Sequence, residues 1–266
     1  MFRNFTFLLL LPFFFASASL APASNSKPKT WRNPKDGMIF VWIPAGSFTA
    51  EVPRAVTETV TYSKERVEIE QGFWMAKTET AVKQFRSFVR ETGYVSDAEK
   101  AGNKFNWKTP GFKQRENYPV VYISFADAQH YAEWAGVDLP TETEWLYACR
   151  AGSETVYYWG DEFDDRNVWH RGNSLKGSHT VAAKQPNAWG LYDMVGNAWE
   201  YAIICDGAHI ELGGSWTRCF RYKTRQGFVA DNLFAGTIAP RLSPCKPPLS
   251  YPWDDDRGFR CVKRAP

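Results

Sequence analysis

Apolar and polar residues alternate in recognisable patterns in the first part of the chain. Residues 38–43 form an apolar run bounded by Gly37 and Pro44, which predicts a buried strand. Val67 and Ile69 alternate with charged residues, which predicts a half-exposed strand. Beyond about residue 150 the periodic patterns fade, and short strands joined by ordered turns are expected.

Three helices are predicted between these strands and residue 152. The first helix is expected to start at Ala81 and to stop at Gly93, the second to start at Ser124 and to stop at Gly136, and the third to start at Thr141 and to stop before Gly152. In the first, apolar residues fall at i, i+3, i+6 and i+7, which is one face of a 3.6-residue period. The other two open with a Ser or Thr followed three residues later by an acid, the pattern of a capping box.

The N-terminus has the pattern of a targeting segment. Arg3 precedes an apolar run over 5–15, and small residues suited to cleavage follow at 16–18 and 21–23. We predict a signal peptide over 1–23, a polar linker over 24–35 and a single domain over 36–266. The alternative is an N-terminal anchor helix. No later segment is long and apolar enough to cross a membrane, so no stable span is expected after cleavage, and a periplasmic or secreted location is predicted.

Composition narrows the class of protein. Of 266 residues, 44% are hydrophobic, and 12 Trp, 12 Tyr and 19 Phe favour a loop-rich, aromatic-rich core. The net charge of +3 is too small to indicate nucleic acid as a partner. The longest acidic run is Asp254-Asp255-Asp256.

Seven motifs follow one another along the mature chain. They are WIPAGSF from Trp42, KTET from Lys77, TGY from Thr92, LPTETEW from Leu139, NAWGLYDMVGNAWE from Asn187, GGSW from Gly213 and GFR from Gly258. In this order the motifs resemble the formylglycine-generating-enzyme (sulfatase-modifying factor) family. The resemblance implies an α+β fold, the formylglycine-generating-enzyme variant of the C-type-lectin-like architecture, with little regular secondary structure. It covers more than 200 residues.

The resemblance also implies a structural calcium ion. Asp193 and Glu200 would contribute carboxylates, and Gly196 and Ala198 would contribute carbonyl oxygens, which are ligand types that Ca²⁺ prefers. The alternative is that both acids only bond locally and cap turns.

The five cysteines decide which chemistry is expected. In the family, two cysteines five residues apart, just after GGS, bind copper(I) and oxidise a substrate cysteine; soft Cu(I) prefers soft sulfur ligands. Here Cys219 lies near the first position, but Thr224 stands five residues later. Copper is expected only if Cys205 or Cys245 reaches Cys219, the candidate catalytic residue, in space.

The resemblance pairs two other cysteines. By it, Cys149 and Cys261 form the family's structural disulfide. Cys219 is then either bonded to Cys245 or a free buried thiol, and Cys205 is left over.

The substrate cleft is predicted around the GGSW motif. By resemblance, Ser215 and Trp199 line the cleft, and Arg218 lies beside them with two further arginines. Three arginines within eight residues could bind an anion, or could simply be surface residues.

Three hypotheses for function follow. The favoured one is a diverged exported family member that acts on or binds another exported protein or peptide-derived substrate, without the standard copper pair. The first alternative is a formylglycine-generating oxidase that converts a sulfatase cysteine to formylglycine. The second is a non-catalytic C-type-lectin-like binding module. If the protein is an enzyme, a formylglycine-generating-enzyme-like oxidoreductase is expected.

Overall fold

The computed structural model describes residues 28–56, 59–204, 207–217, 223–224, 227–228 and 253–264. The predicted signal peptide lies outside the described residues. So do four residues singled out from the sequence: Cys205, Arg218, Cys219 and Cys245.

The described residues form four helices and eleven strands. The helices are α1 (Val82–Thr92), α2 (Asp97–Lys100), α3 (Phe125–Ala135) and α4 (Glu142–Arg150). The strands are β1 (Thr30–Arg32), β2 (Ile39–Ile43), β3 (Gly46–Val56), β4 (Thr59–Ile69), β5 (Phe73–Ala76), β6 (Trp199–Ile203), β7 (His209–Leu212), β8 (Lys223–Thr224), β9 (Gly227–Phe228), β10 (Arg257–Gly258) and β11 (Val262–Arg264).

The three predicted helices are confirmed, and their ends show why they were predictable. Ser124 and Thr141 each accept a bond from the third helical N–H while the acid at that position bonds back, so both capping boxes are complete. Gly93 and Gly136 end α1 and α3 in the left-handed conformation. The single-turn helix α2 was not predicted, although Ser96 gives it a third capping box.

The predicted linker over 24–35 is wrong in its second half. Residues Thr30–Arg32 form β1, which pairs antiparallel with β2. Buried Asn33 donates a hydrogen bond from Nδ2 to the carbonyl oxygen of Ala135 at 3.0 Å, and this fastens the segment to the end of α3. The domain therefore begins before residue 36.

Four strands in the order β1-β2-β5-β11 form the main sheet, which divides the core in two. Successive side chains of a strand point to opposite faces. Accordingly Phe40 joins the cluster around α1 and α3, while its neighbour Val41 joins the cluster around α4. A second sheet, β10-β6-β7, and the hairpin β3-β4 complete most of the architecture.

The second sheet positions the candidate site. Strand β6 pairs parallel with β10, which brings Trp199 opposite Arg257 and Glu200 opposite Gly258. No helix within the described part of the chain has the length and apolar character needed to cross a bilayer.

Candidate functional site

A buried charge centre lies where β6 meets the segment leading into β11. Glu200 and Arg260 are both completely buried. The guanidinium donates to both carboxylate oxygens of Glu200, from Nε at 2.5 Å and from an Nη at 2.6 Å. Trp145 on α4 adds a bond from its indole Nε1 to Glu200 at 2.7 Å. Hydrogen bonds to charged groups are stronger than those between neutral groups. The bidentate pair therefore holds β6 to the C-terminal segment, and the Trp145 bond holds α4 to β6.

Two more carboxylates share this centre. Asp193 is 2% exposed and accepts the backbone N–H of Ala182 at 2.7 Å. Burial raises the pKa of Asp193 to about 6. Buried Glu79 accepts Asn197 Nδ2 through Oε1 at 2.9 Å, while its Oε2 has no partner among the described residues. Burial, and then the Asp193 and Glu200 carboxylates, raise the pKa of Glu79 well above its usual range.

At this centre the side chains of two predicted calcium ligands, Asp193 and Glu200, accept hydrogen bonds from the protein. The Glu200 oxygens already accept three bonds from Arg260 and Trp145, and Asp193 is bonded to Ala182. Within the described residues, the group of acids whose ligand atoms all lie within 4.8 Å of one another is elsewhere, at Asp254–Asp256. Calcium at the centre stays a prediction from the resemblance.

The GGSW motif makes a tight turn beside the second sheet. Gly213 and Gly214 have φ values of 88° and 78°, which favour glycine. The turn buries Ser215, whose Oγ donates to Asp256 Oδ2 at 2.6 Å. Thr217 Oγ1 donates to the same oxygen at 2.6 Å. The turn is therefore tied to the acidic run by two short hydrogen bonds.

The acidic run itself is a cluster of carboxylates. Asp256 is 6% exposed and its carbonyl accepts the N–H of Trp199 at 2.8 Å. Burial, and then the charges of Asp256 and Asp254, raise the pKa of Asp255 to about 6. Tyr122 donates its N–H to the Asp254 carbonyl at 2.9 Å. Burial, followed by these carboxylates, raises the pKa of Tyr122 to about 12. The cluster thus offers several acceptors and one carboxyl, that of Asp255, whose pKa is raised to about 6.

An open cavity of about 530 Å³ lies next to this cluster. Its lining is Lys104, Phe105, Thr109, Gly111, Phe112 and Lys113. Phe112 packs edge-on against Trp216 of the GGSW turn, with ring centroids 5.7 Å apart. Phe105 packs against Tyr122 at 6.1 Å. These contacts join the cavity to the acidic run, and we call the combined surface, from Phe105 and Phe112 to Trp216 and Asp254–Asp256, the cleft.

The structure brings together two of the three predicted cleft residues. Ser215 and Trp199 both contact Asp256, but they are 0% and 5% exposed. They therefore support the cleft from below and do not line it. Trp216 and Asp255 reach its surface and were missed as site residues. The sequence signal for Asp255 was the run of three consecutive acids, whose negative charge is concentrated at one place.

The predicted disulfide between Cys149 and Cys261 is absent, and both residues are free buried thiols. Cys149 belongs to the α4 cluster, with Sγ 3.7 Å from the carbonyl oxygen of Met194. Cys261 belongs to the cluster on the other face of the main sheet. Burial raises the pKa of Cys149 to about 12 and that of Cys261 well above its usual range. Neither thiol is poised to form a thiolate that could bind copper or react.

Comparison with known proteins identifies the family. The family model described as "Sulfatase-modifying factor enzyme 1-like domain" matches residues 25–265. The formylglycine-generating enzyme of Mus musculus is 31% identical over 232 residues, covering 68% of this chain. The alignment spans about 61% of that relative's length. The inactive C-alpha-formylglycine-generating enzyme 2 of Bos taurus is 33% identical over 243 residues, covering 69% of this chain and 74% of the relative.

A solved structure confirms the fold predicted from the motifs. PvdO from Pseudomonas aeruginosa superposes with a TM-score of 0.64 at 21% identity, covering 90% of this chain and 100% of PvdO. At that identity the likeness concerns the fold alone. Helices, short strands and long ordered loops alternate in the same way as the α+β expectation. The chain belongs to the sulfatase-modifying factor enzyme 1-like family and has the formylglycine-generating-enzyme fold.

Proposed function

We propose that this protein is an exported family member that binds a polypeptide in the cleft and acts on it without a copper–dithiolate centre. The observation that carries the proposal is the continuous surface around the GGSW turn. Aromatic rings of Phe105, Phe112 and Trp216 lie beside hydrogen-bond acceptors of Asp254–Asp256. Aromatic side chains next to fixed polar groups are what a groove needs to hold an extended peptide.

The absence of the standard oxidation is supported by the cysteines. The residue five places after Cys219 is Thr224, so no second thiol follows at the family spacing. The two described cysteines lie in the core with their pKa values raised by burial. Cu(I) binds thiolates, and a buried neutral thiol is a poor ligand.

Copper binding and peptide oxidation test this part of the proposal. The purified mature chain, and Cys219→Ala as its control, would be titrated with Cu(I) and then incubated with O₂ and a Cys-x-Pro-x-Arg peptide. We expect no tight Cys219-dependent copper binding and no aldehyde product in the mass spectrum. Cys219-dependent binding together with formylglycine would replace the proposal with the oxidase alternative.

Peptide binding tests the cleft. Trp216 is half-exposed, and its ring joins the two halves of the cleft, so Trp216→Ala removes apolar contact area without disturbing Ser215. We expect peptides captured by the wild-type chain to bind Trp216→Ala at least tenfold more weakly. Equal binding by a variant that is still folded, as judged by circular dichroism, would place the peptide elsewhere.

Binding without turnover is the second candidate function. One relative at 33% identity carries the name of an inactive enzyme. Mass spectrometry of the captured peptides separates the two candidates, since a binding module returns each peptide with its mass unchanged.

Export is part of the proposal and has its own test. The run 5–15 and the small residues up to Ala23 support removal of residues 1–23. Sequencing the N-terminus of protein recovered from outside the cytoplasm should begin at Ser24. A chain that keeps Met1 would favour the anchor alternative.

A further inference from the structure

We infer that the cavity between Phe105 and Phe112 recognises an acidic peptide segment that carries an apolar side chain between its carboxylates. The inference rests on the proposal that the cleft binds a polypeptide, and it names the chemistry of the segment bound. It is carried by the shape of the cavity, the charges at its rim and the rigidity of the loop that forms it.

The cavity is large enough for side chains and has an apolar floor. Its volume is about 530 Å³, within the range of sites that take small ligands. Phe105 is 37% exposed and is one of three large hydrophobic residues exposed within the described chain. Phe112 is half-buried against Trp216. An exposed ring beside a half-buried one gives an apolar residue of a ligand a surface to cover.

The rim of the cavity carries two cations with no ion-pair partner in the described chain. Neither Lys104 nor Lys113 has a carboxylate oxygen within 4 Å there, whereas Lys108 between them pairs with Glu99. Lys104 Nζ lies 5.2 Å from the centre of the Phe105 ring, and both residues line the cavity. A ligand carboxylate in the cavity would supply the missing counter-charge to each lysine. The carboxylates of Asp254–Asp256 belong to the cleft but do not line the cavity.

The loop that builds the cavity is held in place before any ligand arrives. Trp107 is 1% exposed and donates its indole N–H to Glu99 at 2.9 Å. Its carbonyl accepts the Gln114 side chain at 2.8 Å. Gly111 has a φ of 86°, and a side chain there would press on the Phe105 ring at 3.0 Å. Preorganisation of this kind reduces the entropy lost on binding.

Fluorescence anisotropy with three matched probes tests the inference. The probes are short fluorescein-labelled Gly-Ser peptides that carry Glu-Phe-Glu, Lys-Phe-Lys or Glu-Ser-Glu. The proteins are the mature chain, Lys104→Glu/Lys113→Glu, and the control Lys64→Glu/Lys83→Glu. Lys64 and Lys83 are exposed, so the control changes the net charge equally at other places.

We expect the Glu-Phe-Glu probe to bind the wild type and the control pair equally. The cavity variant should bind it at least tenfold more weakly, and added salt should weaken the wild-type complex. The Lys-Phe-Lys and Glu-Ser-Glu probes should bind at least tenfold more weakly than Glu-Phe-Glu.

Three outcomes would overturn the inference, and each differs from failure of the proposed function. Equal binding of the acidic and basic probes, lost in Trp216→Ala, would keep the cleft as a peptide site and remove its charge preference. Equal loss in the cavity and control variants would show an effect of net charge alone. No binding of any probe to the wild type would refute the inference, while the captured peptides and Trp216→Ala would still decide whether the cleft is a peptide site.

Discussion

Arg260→Met should remove a large part of the stability of this domain. Arg260 is completely buried, and its guanidinium donates to both oxygens of Glu200 and to the carbonyl of Tyr192 at 2.9 Å. Methionine fills similar volume with no donor, so Glu200 would keep its charge in the core without a cation. The Asp193 carboxylate raises the pKa of Glu79, and both acids raise the pKa of Arg260. Without Arg260, Asp193 as well as Glu200 would therefore lose a nearby cation.

The magnitude follows from the burial of both partners. Removing one member of a fully buried ion pair costs about 3–5 kcal/mol, because the other charge remains desolvated. At roughly 2–4 °C per kcal/mol for a domain of this size, the midpoint of thermal unfolding should fall by about 6–20 °C. Arg66→Met is the control, since the Arg66 side chain is 75% exposed and pairs with Glu68, whose side chain is 56% exposed. That change should cost less than about 1 kcal/mol.

The loss in Arg260→Met should also depend on pH. The pKa of folded Asp193, about 6, lies above its ordinary 3.8, so its ionisation opposes folding. Stability from this group is present below about pH 4 and is lost as the pH rises through about 6. Arg260 lowers this pKa, so the variant should carry it higher. The pH range in which stability falls should therefore move upward.

Urea unfolding of the two variants at several pH values provides the measurement. Arg260→Met/Glu200→Met should lose less than the sum of the two single changes, because it leaves no unpaired charge at this pair. A loss below about 1 kcal/mol in Arg260→Met, equal to that of Arg66→Met, would show that Arg260 does not compensate Glu200.

Three further predictions concern the cleft, a turn and the thiols. Asp255→Asn should stabilise the protein by about 1 kcal/mol at pH 7, after a discount for the partial exposure of Asp255. The pKa of Asp255 is raised to about 6, so its ionisation opposes folding as the pH rises from about 4. In the variant, the midpoint of thermal unfolding should therefore change less with pH. Gly196→Ala should cost roughly 2 kcal/mol or more in urea unfolding, since φ is 83° and the new Cβ would overlap the Trp169 carbonyl oxygen. Cys149 and Cys261 should resist iodoacetamide in the native protein and react in denaturant without a reductant, whereas a requirement for reductant would show a disulfide.

Elements whose signals are local could be predicted from the sequence. The capping boxes at Ser124 and Thr141 and the left-handed Gly93 and Gly136 each lie within one turn of the helix end they fix. Strand β1 could not be predicted in this way. Its three residues are stabilised by pairing with β2, and nothing within Thr30–Arg32 itself alternates over enough positions to indicate a strand.

The site depends on contacts between residues far apart in the chain. Ser215 and Asp256 are 41 residues apart and are joined by one hydrogen bond. Glu200 and Arg260 are 60 residues apart. No periodic pattern encodes such a pair, so the sequence could indicate the motifs that carry these residues and not their partners. The cysteine pairing came from the resemblance alone, and the structure has free thiols at Cys149 and Cys261.

The buried charge centre and the cavity differ in whether their charges are paired within the chain. This difference distinguishes a site that stabilises the fold from a site that can recognise a ligand. At the buried centre, Glu200 is matched by Arg260, and the raised pKa of Glu79 favours its neutral form. A buried carboxylate needs a cation, and here the chain itself supplies one from the GFR motif. In the cavity of the cleft, Lys104 and Lys113 have no ion-pair partner in the described residues and share the lining with the exposed Phe105, while the carboxylates of Asp254–Asp256 lie outside that lining. An unpaired charge is tolerated where water can solvate it. A ligand of the opposite charge is attracted electrostatically to such a place.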